Sequence, residues 1–438
     1  MKLDGRLHWG LAALVVAGNM IGSGVYMLPV ALASTGSSSL IGWVIAGFGA
    51  VSLALVFAAL GRTLPEADGL PGFAESGLGR FFGFQTTLAF WAAALVGNVA
   101  IAVAATGYLS FFFPVLKTPV GATLSNLALI WLVTGAYILG VRTAARLAAV
   151  TLVIGLAPIV VAIFAGAGAF DPEVFRASWS PSGEPLVKSL PASLVVIFWA
   201  FLGVESAAVL SQRVRDPSRD VGRASVAGVI LATVIYVAAS AAVFGVIPAS
   251  VLAQSSSPYA DLIARVFGAS IAGVAAACAV IKATGTLGGW VMMAGETARA
   301  GARQGYLPRG FGQGDRTTRA TPLLGGAVMS IVALLSSQAS LGDQFGFLIG
   351  VTSVLTLAVY AVCCVSLLRR ATTVGDMAIA VVGLMFAIAA VAAAAPNYIV
   401  PTLIFVVVVG LAWAVWIRGR PAPGEAVQDD PAEAAPES

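Results

Sequence analysis

The stretch Gly18-Asn19-Met20-Ile21-Gly22-Ser23-Gly24 interrupts an apolar segment near the start of this 438-residue chain. A second interruption, Phe201-Leu202-Gly203-Val204-Glu205-Ser206, lies inside another apolar segment. A continuous membrane helix satisfies its own backbone groups, whereas a broken helix leaves N–H and C=O groups free at bilayer depth. Such groups are tolerated where they line a cavity, and two breaks in corresponding segments are typical of a transport site.

The composition places the chain in a membrane. Hydrophobic residues make up 59% of it and charged residues only 10%, against about 25% charged residues in soluble domains. The net charge of +4 does not indicate nucleic-acid binding, because the basic residues follow the membrane topology. Cys278, Cys363 and Cys364 all lie in apolar segments and are predicted to be small core residues. We therefore predict no metal and no other cofactor.

The apolar segments predict twelve membrane spans. A helix needs roughly 20 apolar residues to cross a bilayer, and abundant glycine and alanine favour close helix packing there. The windows, numbered 1 to 12, are 10–32, 39–62, 83–113, 119–141, 143–168, 190–212, 223–247, 268–300, 320–338, 344–368, 373–395 and 397–418.

The basic residues set the orientation. With the N-terminus inside, most of the 24 Lys and Arg residues fall on the cytoplasmic side, as the positive-inside rule requires. The predicted localisation is therefore the cell inner membrane, with many passes and both termini cytoplasmic. The exceptions are Lys117, Arg176, Lys188 and Arg265 outside, and Lys282 within window 8.

The two interruptions fall in windows 1 and 6, which divides the first ten windows into two units of five. An odd number of spans per unit inverts one unit relative to the other. We predict an all-α polytopic membrane protein with a five-plus-five inverted repeat, in which helices 1 and 6 are broken. The repeats cover 1–168 and 190–368, residues 373–418 form peripheral helices 11 and 12, and 419–438 form a disordered cytoplasmic tail.

The interruptions suit the two ends of an α-amino acid. Free N–H groups of a half-helix that begins near Ser23, together with the Ser23 hydroxyl, suit a carboxylate. Exposed carbonyls from Trp199 to Leu202 suit an ammonium group. The alternative for the first interruption is a packing contact between helices, which glycines also favour.

Four further side chains carry chemistry at membrane depth. Glu205 is an acidic residue deep within a span, where a charge is costly, so it is predicted to carry protons or to gate the site, or else to be a structural carboxyl. Trp199 and Trp290 offer a face to a cation, although core packing is the commoner role of such residues. Lys282 either snorkels to the outer interface or lines the outward vestibule, where it disfavours cationic ligands.

The loop from Thr63 to Gly79 has two open interpretations. It contains prolines and glycines between charged residues. It is either a structured cytoplasmic loop that gates the inner side or a plain connector.

Three motifs resemble one superfamily in order and spacing. Gly18-Asn19-Met20-Ile21-Gly22-Ser23-Gly24-Val25-Tyr26-Met27-Leu28-Pro29 resembles span 1 of the amino acid–polyamine–organocation superfamily. Phe198-Trp199-Ala200-Phe201-Leu202-Gly203-Val204-Glu205-Ser206-Ala207 resembles span 6, and Leu287-Gly288-Gly289-Trp290 resembles span 8. Within the superfamily the chain is most similar to bacterial basic amino acid and polyamine exchangers of the arginine/agmatine type. The fold implied is the LeuT type.

The resemblance implies a role for each matched residue. Ser23 and Gly24 would hold the substrate carboxylate, and Trp199 would be the outer gate. The carbonyls of Met20, Trp199 and Leu202 would bind the amine. Asn98 and Trp290 would contact the substrate side chain, and Glu205 and Tyr360 would belong to the inner gate.

The chain departs from the family pattern at four further candidate site positions. Phe90 stands where an inner-gate tyrosine is expected, Ile101 replaces a methionine, and Thr352 replaces a serine. Lys282 occupies a place where a small residue is usual. Arginine is therefore not assumed to be the substrate.

The function predicted is secondary active amino acid transport, most simply exchange of an amino acid for a related amine or amino acid by alternating access. The alternative is a proton-coupled symporter of neutral amino acids, in which Glu205 or Lys282 titrates. An enzyme or receptor is disfavoured, because the sequence has no Cys/His metal set, no nucleotide-binding loop and no long extramembrane segment. The predicted partners are a small amino acid or amine and the lipid bilayer, with a homodimer left open.

Overall fold

The computed structural model describes residues 8–139, 141–206, 214, 217–313, 316, 317 and 319–418. The predicted tail at 419–438 lies outside them. In chain order the α-helices are α1 (Trp9–Met20), α2 (Leu28–Ala31), α3 (Ser39–Thr63), α4 (Gly69–Leu78), α5 (Arg80–Leu109), α6 (Pro119–Leu139), α7 (Val141–Gly168), α8 (Pro172–Ala177), α9 (Leu186–Phe198), α10 (Pro217–Val246), α11 (Ala249–Leu252), α12 (Pro258–Phe267), α13 (Ala269–Arg303), α14 (Ala320–Leu335), α15 (Leu341–Arg370), α16 (Val374–Ala392) and α17 (Pro396–Ala412).

Shorter elements connect these helices. Short 3₁₀ helices cover Ser23–Tyr26, Gly36–Ser38, Pro114–Lys117, Trp199–Phe201 and Arg309–Phe311, and a π-helical turn covers Trp413–Ile417. The strands β1 (Gly312–Gln313) and β2 (Arg316–Thr317) pair antiparallel.

Eight helices in the described part are long and apolar enough to cross a membrane: α3, α5, α6, α10, α13, α15, α16 and α17. Shorter apolar helices occupy α1, α9, α14 and the described second half of α7. The helices α1 and α9 are short because each ends at a break in the backbone. The chain is therefore an all-α, multi-pass membrane protein. Each of the twelve predicted windows overlaps one of these apolar helices, while the count of twelve spans stays a prediction.

The first break follows α1. The N–H of Ile21 still donates to the Ala17 carbonyl at 2.8 Å, but the N–H of Gly22 turns back to the Met20 carbonyl at 2.6 Å. The half-helix expected from Ser23 is not one continuous α-helix: a 3₁₀ turn comes first, and the one-turn helix α2 follows. Pro29 in that turn lacks an N–H and cannot extend the helical hydrogen-bond ladder, which accounts for the difference.

The second break follows α9. The chain passes through the 3₁₀ turn Trp199–Phe201, and Gly203 then adopts φ +104°, a conformation that only glycine takes readily. A Cβ atom on Gly203 would lie 3.0 Å from the carbonyl oxygen of Asn19 in the last turn of α1, and the 3₁₀ turns Ser23–Tyr26 and Trp199–Phe201 pack against each other. The chain thus breaks both predicted helices, and the two breaks are in contact.

Helix α13 packs between α5 and α7, and small residues allow the close approach to α7. A Cβ on Gly285 would lie 1.7 Å from the Thr151 hydroxyl oxygen, and one on Gly155 would lie 2.2 Å from Lys282 Cγ. Both positions therefore exclude a side chain. Such backbone approach through small residues is what holds membrane helices together.

The loop from Thr63 to Gly79 is structured, because it contains α4, which is anchored to two long helices. The Ser366 hydroxyl of α15 donates to the Phe73 carbonyl at 2.6 Å. Asp68, just before α4, pairs with Arg303 at the end of α13 at 2.7 Å. The plain-connector interpretation is therefore wrong for this loop, while gating by it stays a prediction.

Candidate substrate site

A small cavity of about 310 Å³ lies beside the second break, between α5, α13 and α15. The residues that line it are Phe90, Ala93, Ala94, Gly97, Ile101, Trp199, Leu202, Glu205, Trp290, Thr352, Thr356 and Tyr360.

Most of the predicted site residues meet in this cavity, although they come from four separate segments of the chain. Helix α5 contributes Phe90 and Ile101, and α15 contributes Thr352 and Tyr360. The second break and α13 contribute the others, which are Trp199, Leu202, Glu205 and Trp290.

A larger, open cavity of about 1620 Å³ adjoins the small one. The two share Phe90, Glu205 and Trp290 as lining residues. The larger cavity touches the first break and reaches the exposed Asp68 before α4 and Ala300 near the end of α13. The small cavity therefore lies at the deep, closed end of the larger cavity, which is an open vestibule.

Asn98 is a predicted contact that lines neither of these two cavities. It is fully buried in α5, and neither polar atom of its side-chain amide has a hydrogen-bond partner among the described residues. Its neighbours Gly97 and Ile101 line the small cavity instead. An unpaired buried amide costs free energy, and contact of Asn98 with the substrate stays a prediction.

The first break supplies less than was predicted within the described residues. Met20 is buried, and its carbonyl already accepts the Gly22 N–H. The backbone of Ser23 and Gly24 lies in the 3₁₀ turn, but the surroundings of their side chains lie outside what the structure describes. The Ser23 hydroxyl therefore stays a prediction.

Most of the carbonyls in the second break already accept a hydrogen bond. The Trp199 and Phe201 carbonyls accept the N–H groups of Leu202 and Val204, each at 3.2 Å. The Tyr236 hydroxyl of α10 donates to the Ala200 carbonyl at 2.9 Å. Of the four carbonyls predicted to face an ammonium group, that of Leu202 is the one without a hydrogen bond among the described residues.

Glu205 joins the second break to α15. Its Oε2 accepts the Gly203 N–H at 3.0 Å and also accepts the hydroxyl of Tyr360. The carboxyl lines both cavities. One side chain thus stabilises the broken backbone, links it to another helix and faces both cavities, while gating by Glu205 stays a prediction.

The rest of the small cavity is apolar and aromatic. The hydroxyls of Thr352 and Thr356 donate to carbonyls one turn earlier in α15, at 2.9 and 2.8 Å, so they can meet a ligand only as acceptors. Trp199 packs close to α5, because a Cβ on Gly97 would lie 3.0 Å from its ring. The cavity suits an alkyl chain that ends in a cation and lies among aromatic faces.

Sequence reasoning missed four lining residues: Ala93, Ala94, Gly97 and Thr356. The first three share a face of α5 with Phe90 and Ile101, at spacings of three or four residues. That spacing was a usable signal, but small apolar residues occur on every face of a membrane helix. Thr356 lies one turn after Thr352 on the same helix.

Lys282 does not snorkel outward. Its residue is only 5% exposed, and it lines the larger cavity beside Gly18, Asn19 and Gly22 of the first break. It lies between α13 and α7, with its stem against Gly155. The cavity that Lys282 lines reaches Asp68 and Ala300, and a role of Lys282 in the outward vestibule stays a prediction.

Helix breaks that touch where two cavities join are characteristic of membrane transporters, which is the class that this geometry defines. A model of the amino acid permease family matches residues 7–412, and the chain belongs to that family, within the amino acid–polyamine–organocation superfamily. Family membership makes it a transporter rather than an enzyme.

Named relatives of the chain include transporters of diamines. The cadaverine/lysine antiporter of Escherichia coli (strain K12) is 35% identical over 364 residues, which cover 81% of each chain. The putrescine transporter PotE of the same strain is 30% identical over 347 residues, which cover 78% of each. PotE of Haemophilus influenzae is 29% identical over 346 residues, 78% of this chain and 79% of its own.

Replacing Trp290 by leucine tests whether the aromatic lining binds the ligand. A cation packed on its face contributes about 0.5–2 kcal/mol, so Trp290→Leu should weaken lysine or cadaverine binding by a few-fold to roughly thirtyfold. Titration calorimetry on the purified protein measures this. Trp416→Leu is the matched control, because Trp416 is 67% exposed and far along the chain from the cavity. If the two variants bound the ligand with equal affinity, Trp290 would contribute to helix packing and not to ligand binding.

Proposed function

We propose that the chain is a secondary active transporter that exchanges an amino acid for a related amine or amino acid by alternating access. The observation that carries this proposal is the contact of Gly203 with the Asn19 carbonyl, which joins the two helix breaks beside the cavities. Moving either break would move the other. Family membership and the antiporter among its relatives support exchange over symport.

A correspondence between the halves supports the five-plus-five repeat at 1–168 and 190–368. Helix α4 has 10 residues, ends at Gly79 with φ +92° and is followed directly by the long α5. Helix α12 also has 10 residues, ends at Gly268 with φ +86° and is followed directly by the long α13. Both short helices precede the third span of their unit. Helices α16 and α17, over 373–418, are the least buried spans, which suits peripheral helices.

The proposed topology has twelve spans in the inner membrane and both termini in the cytoplasm. In this orientation α4 is cytoplasmic and α12 is external, as an inverted repeat requires. The larger cavity, which reaches Asp68 and Ala300, then opens to the cytoplasm. The conformation described is accordingly inward-open.

The proposed substrate site uses both breaks. Backbone N–H groups at Ser23 and Gly24 bind the carboxylate, and carbonyls of Met20, Trp199 and Leu202 bind the α-amino group. The substrate side chain lies in the small cavity against Trp290, with Asn98 as a further contact. Trp199 closes the outer side, and Phe90, Glu205 and Tyr360 form the inner gate.

Counterflow in proteoliposomes tests the exchange. Vesicles loaded with unlabelled lysine should take up labelled lysine or cadaverine at least tenfold faster than empty vesicles. Under the symport alternative, an inward proton gradient would drive uptake of a neutral amino acid into empty vesicles. Gradient-driven uptake without counterflow would overturn the exchange proposal.

A further inference from the structure

Lys282 faces the open vestibule without a partner. It is only 5% exposed, and it makes no hydrogen bond or ion pair with any described residue, yet it lines the larger cavity beside the first break. A buried charge without a partner is costly unless something compensates it. The open side of Lys282 is the cavity, so water or a ligand in that cavity is what can compensate the charge.

The acidic side chains that line the same cavity already have partners. Asp68 pairs with Arg303 at 2.7 Å, and Glu296 pairs with Arg299 at 2.5 Å. Glu205 accepts hydrogen bonds from Gly203 and Tyr360. Among the described residues that line this cavity, Lys282 is the one basic side chain. No acidic side chain that lines this cavity therefore pairs with Lys282 among the described residues.

The position of Lys282 is built into the fold. Its stem lies against α7 at Gly155, where a Cβ would come within 2.2 Å of Lys282 Cγ. The Gly155 carbonyl accepts the hydroxyl of Tyr26, which belongs to the 3₁₀ turn after the first break. The niche thus ties Lys282 to the backbone segment where the substrate carboxylate is proposed to bind.

Lys282 and Trp290 lie on one face of α13, eight residues apart, which is about 12 Å of helix. Both line the larger cavity, and between them so do Gly285, Thr286 and Gly289. A ligand with its amine between Trp290 and Glu205 can extend along this face. Its other end then approaches Lys282 and the first break.

We propose that the Lys282 ammonium is a carboxylate subsite of the pathway, which favours an amino acid over the diamine that lacks its carboxylate. This inference rests on the proposed function. A carboxylate near Lys282 is attracted, whereas the second ammonium group of a diamine at the same place is repelled. With a ligand charge about 10 Å from the Lys282 ammonium and an effective dielectric near 20, the Coulomb energy corresponds to more than about tenfold in affinity. Removing the charge of Lys282 should change the affinity of either ligand by that factor.

The test compares lysine with cadaverine, which differ by the carboxylate alone. The ratio of their dissociation constants is measured by calorimetry on the purified full-length protein, and arginine with agmatine and ornithine with putrescine give the same ratio for other chain lengths. Lys282→Met, which keeps the stem but not the charge, should shift the ratio at least tenfold toward the diamine. Lys282→Arg should retain most of the preference, and Lys188→Met is the control, because Lys188 lies on an exposed external segment.

A second variant keeps the proposal testable if Lys282→Met does not fold. Lys282→Gln also lacks the charge but keeps a polar end in the niche, and it should shift the ratio in the same direction. An unchanged ratio in folded Lys282→Met overturns the proposal, and so does an equal loss of both ligands, which would assign Lys282 to folding or to the transport cycle. Failure of the wild-type protein to bind any amino acid or amine, these six compounds included, would instead overturn the proposed function.

Discussion

Gly203→Ala is expected to reduce exchange at least tenfold while the protein remains folded in the membrane. The φ of +104° at this position costs a residue with a Cβ about 1–2 kcal/mol. The added Cβ would also lie 3.0 Å from the Asn19 carbonyl oxygen, so the end of α1 would have to shift slightly away from the second break. Counterflow of labelled lysine or cadaverine in proteoliposomes, at matched protein content, measures the loss.

The matched control is Gly135→Ala in α6, where a new Cβ meets nothing within 4 Å. That variant should exchange at the wild-type rate, because alanine also favours the helix. Size-exclusion profiles and melting temperatures of both variants separate a folding defect from a transport defect. Wild-type exchange by Gly203→Ala would mean that contact between the breaks is not needed for transport.

The positions of the two breaks could be predicted because glycine and polar residues stand out inside apolar segments. The spans could be predicted for the same reason, since membrane helices must be long and apolar. The course of the chain after the first break could not, because it depends on where Pro29 falls in the hydrogen-bond ladder. The correspondence of α4 with α12 was also hidden, because it lies in length and backbone conformation rather than in shared residues.

The site was predicted in part. Motif resemblance identified most of the aromatic and polar lining, whereas Ala93, Ala94 and Gly97 look like any small residues of a membrane helix. The environment of Lys282 was also out of reach, since it depends on Gly155 of another helix, 127 positions earlier in the sequence. Helical rise gives the depth of a side chain, but its direction depends on how neighbouring helices pack.

Glu205→Gln is expected to leave lysine or cadaverine binding within a few-fold of the wild type but to slow exchange at least tenfold. The glutamine carbonyl can still accept the Gly203 N–H and the Tyr360 hydroxyl, so the second break keeps its hydrogen bonds. The charge, however, is gone from a carboxyl that faces both cavities. Calorimetry measures binding, and counterflow between about pH 5 and pH 8 measures exchange.

The pH profile separates the two roles of Glu205. A gate that changes its protonation state loses that response in Glu205→Gln, because the amide does not titrate over this range, so the profile should flatten. Tyr360→Phe is the matched comparison: it removes one hydrogen bond and leaves the carboxyl in place. It should therefore slow exchange but keep the wild-type pH dependence. If Glu205→Gln kept that dependence as well, Glu205 would be a structural carboxyl whose contribution is to hold the second break against α15.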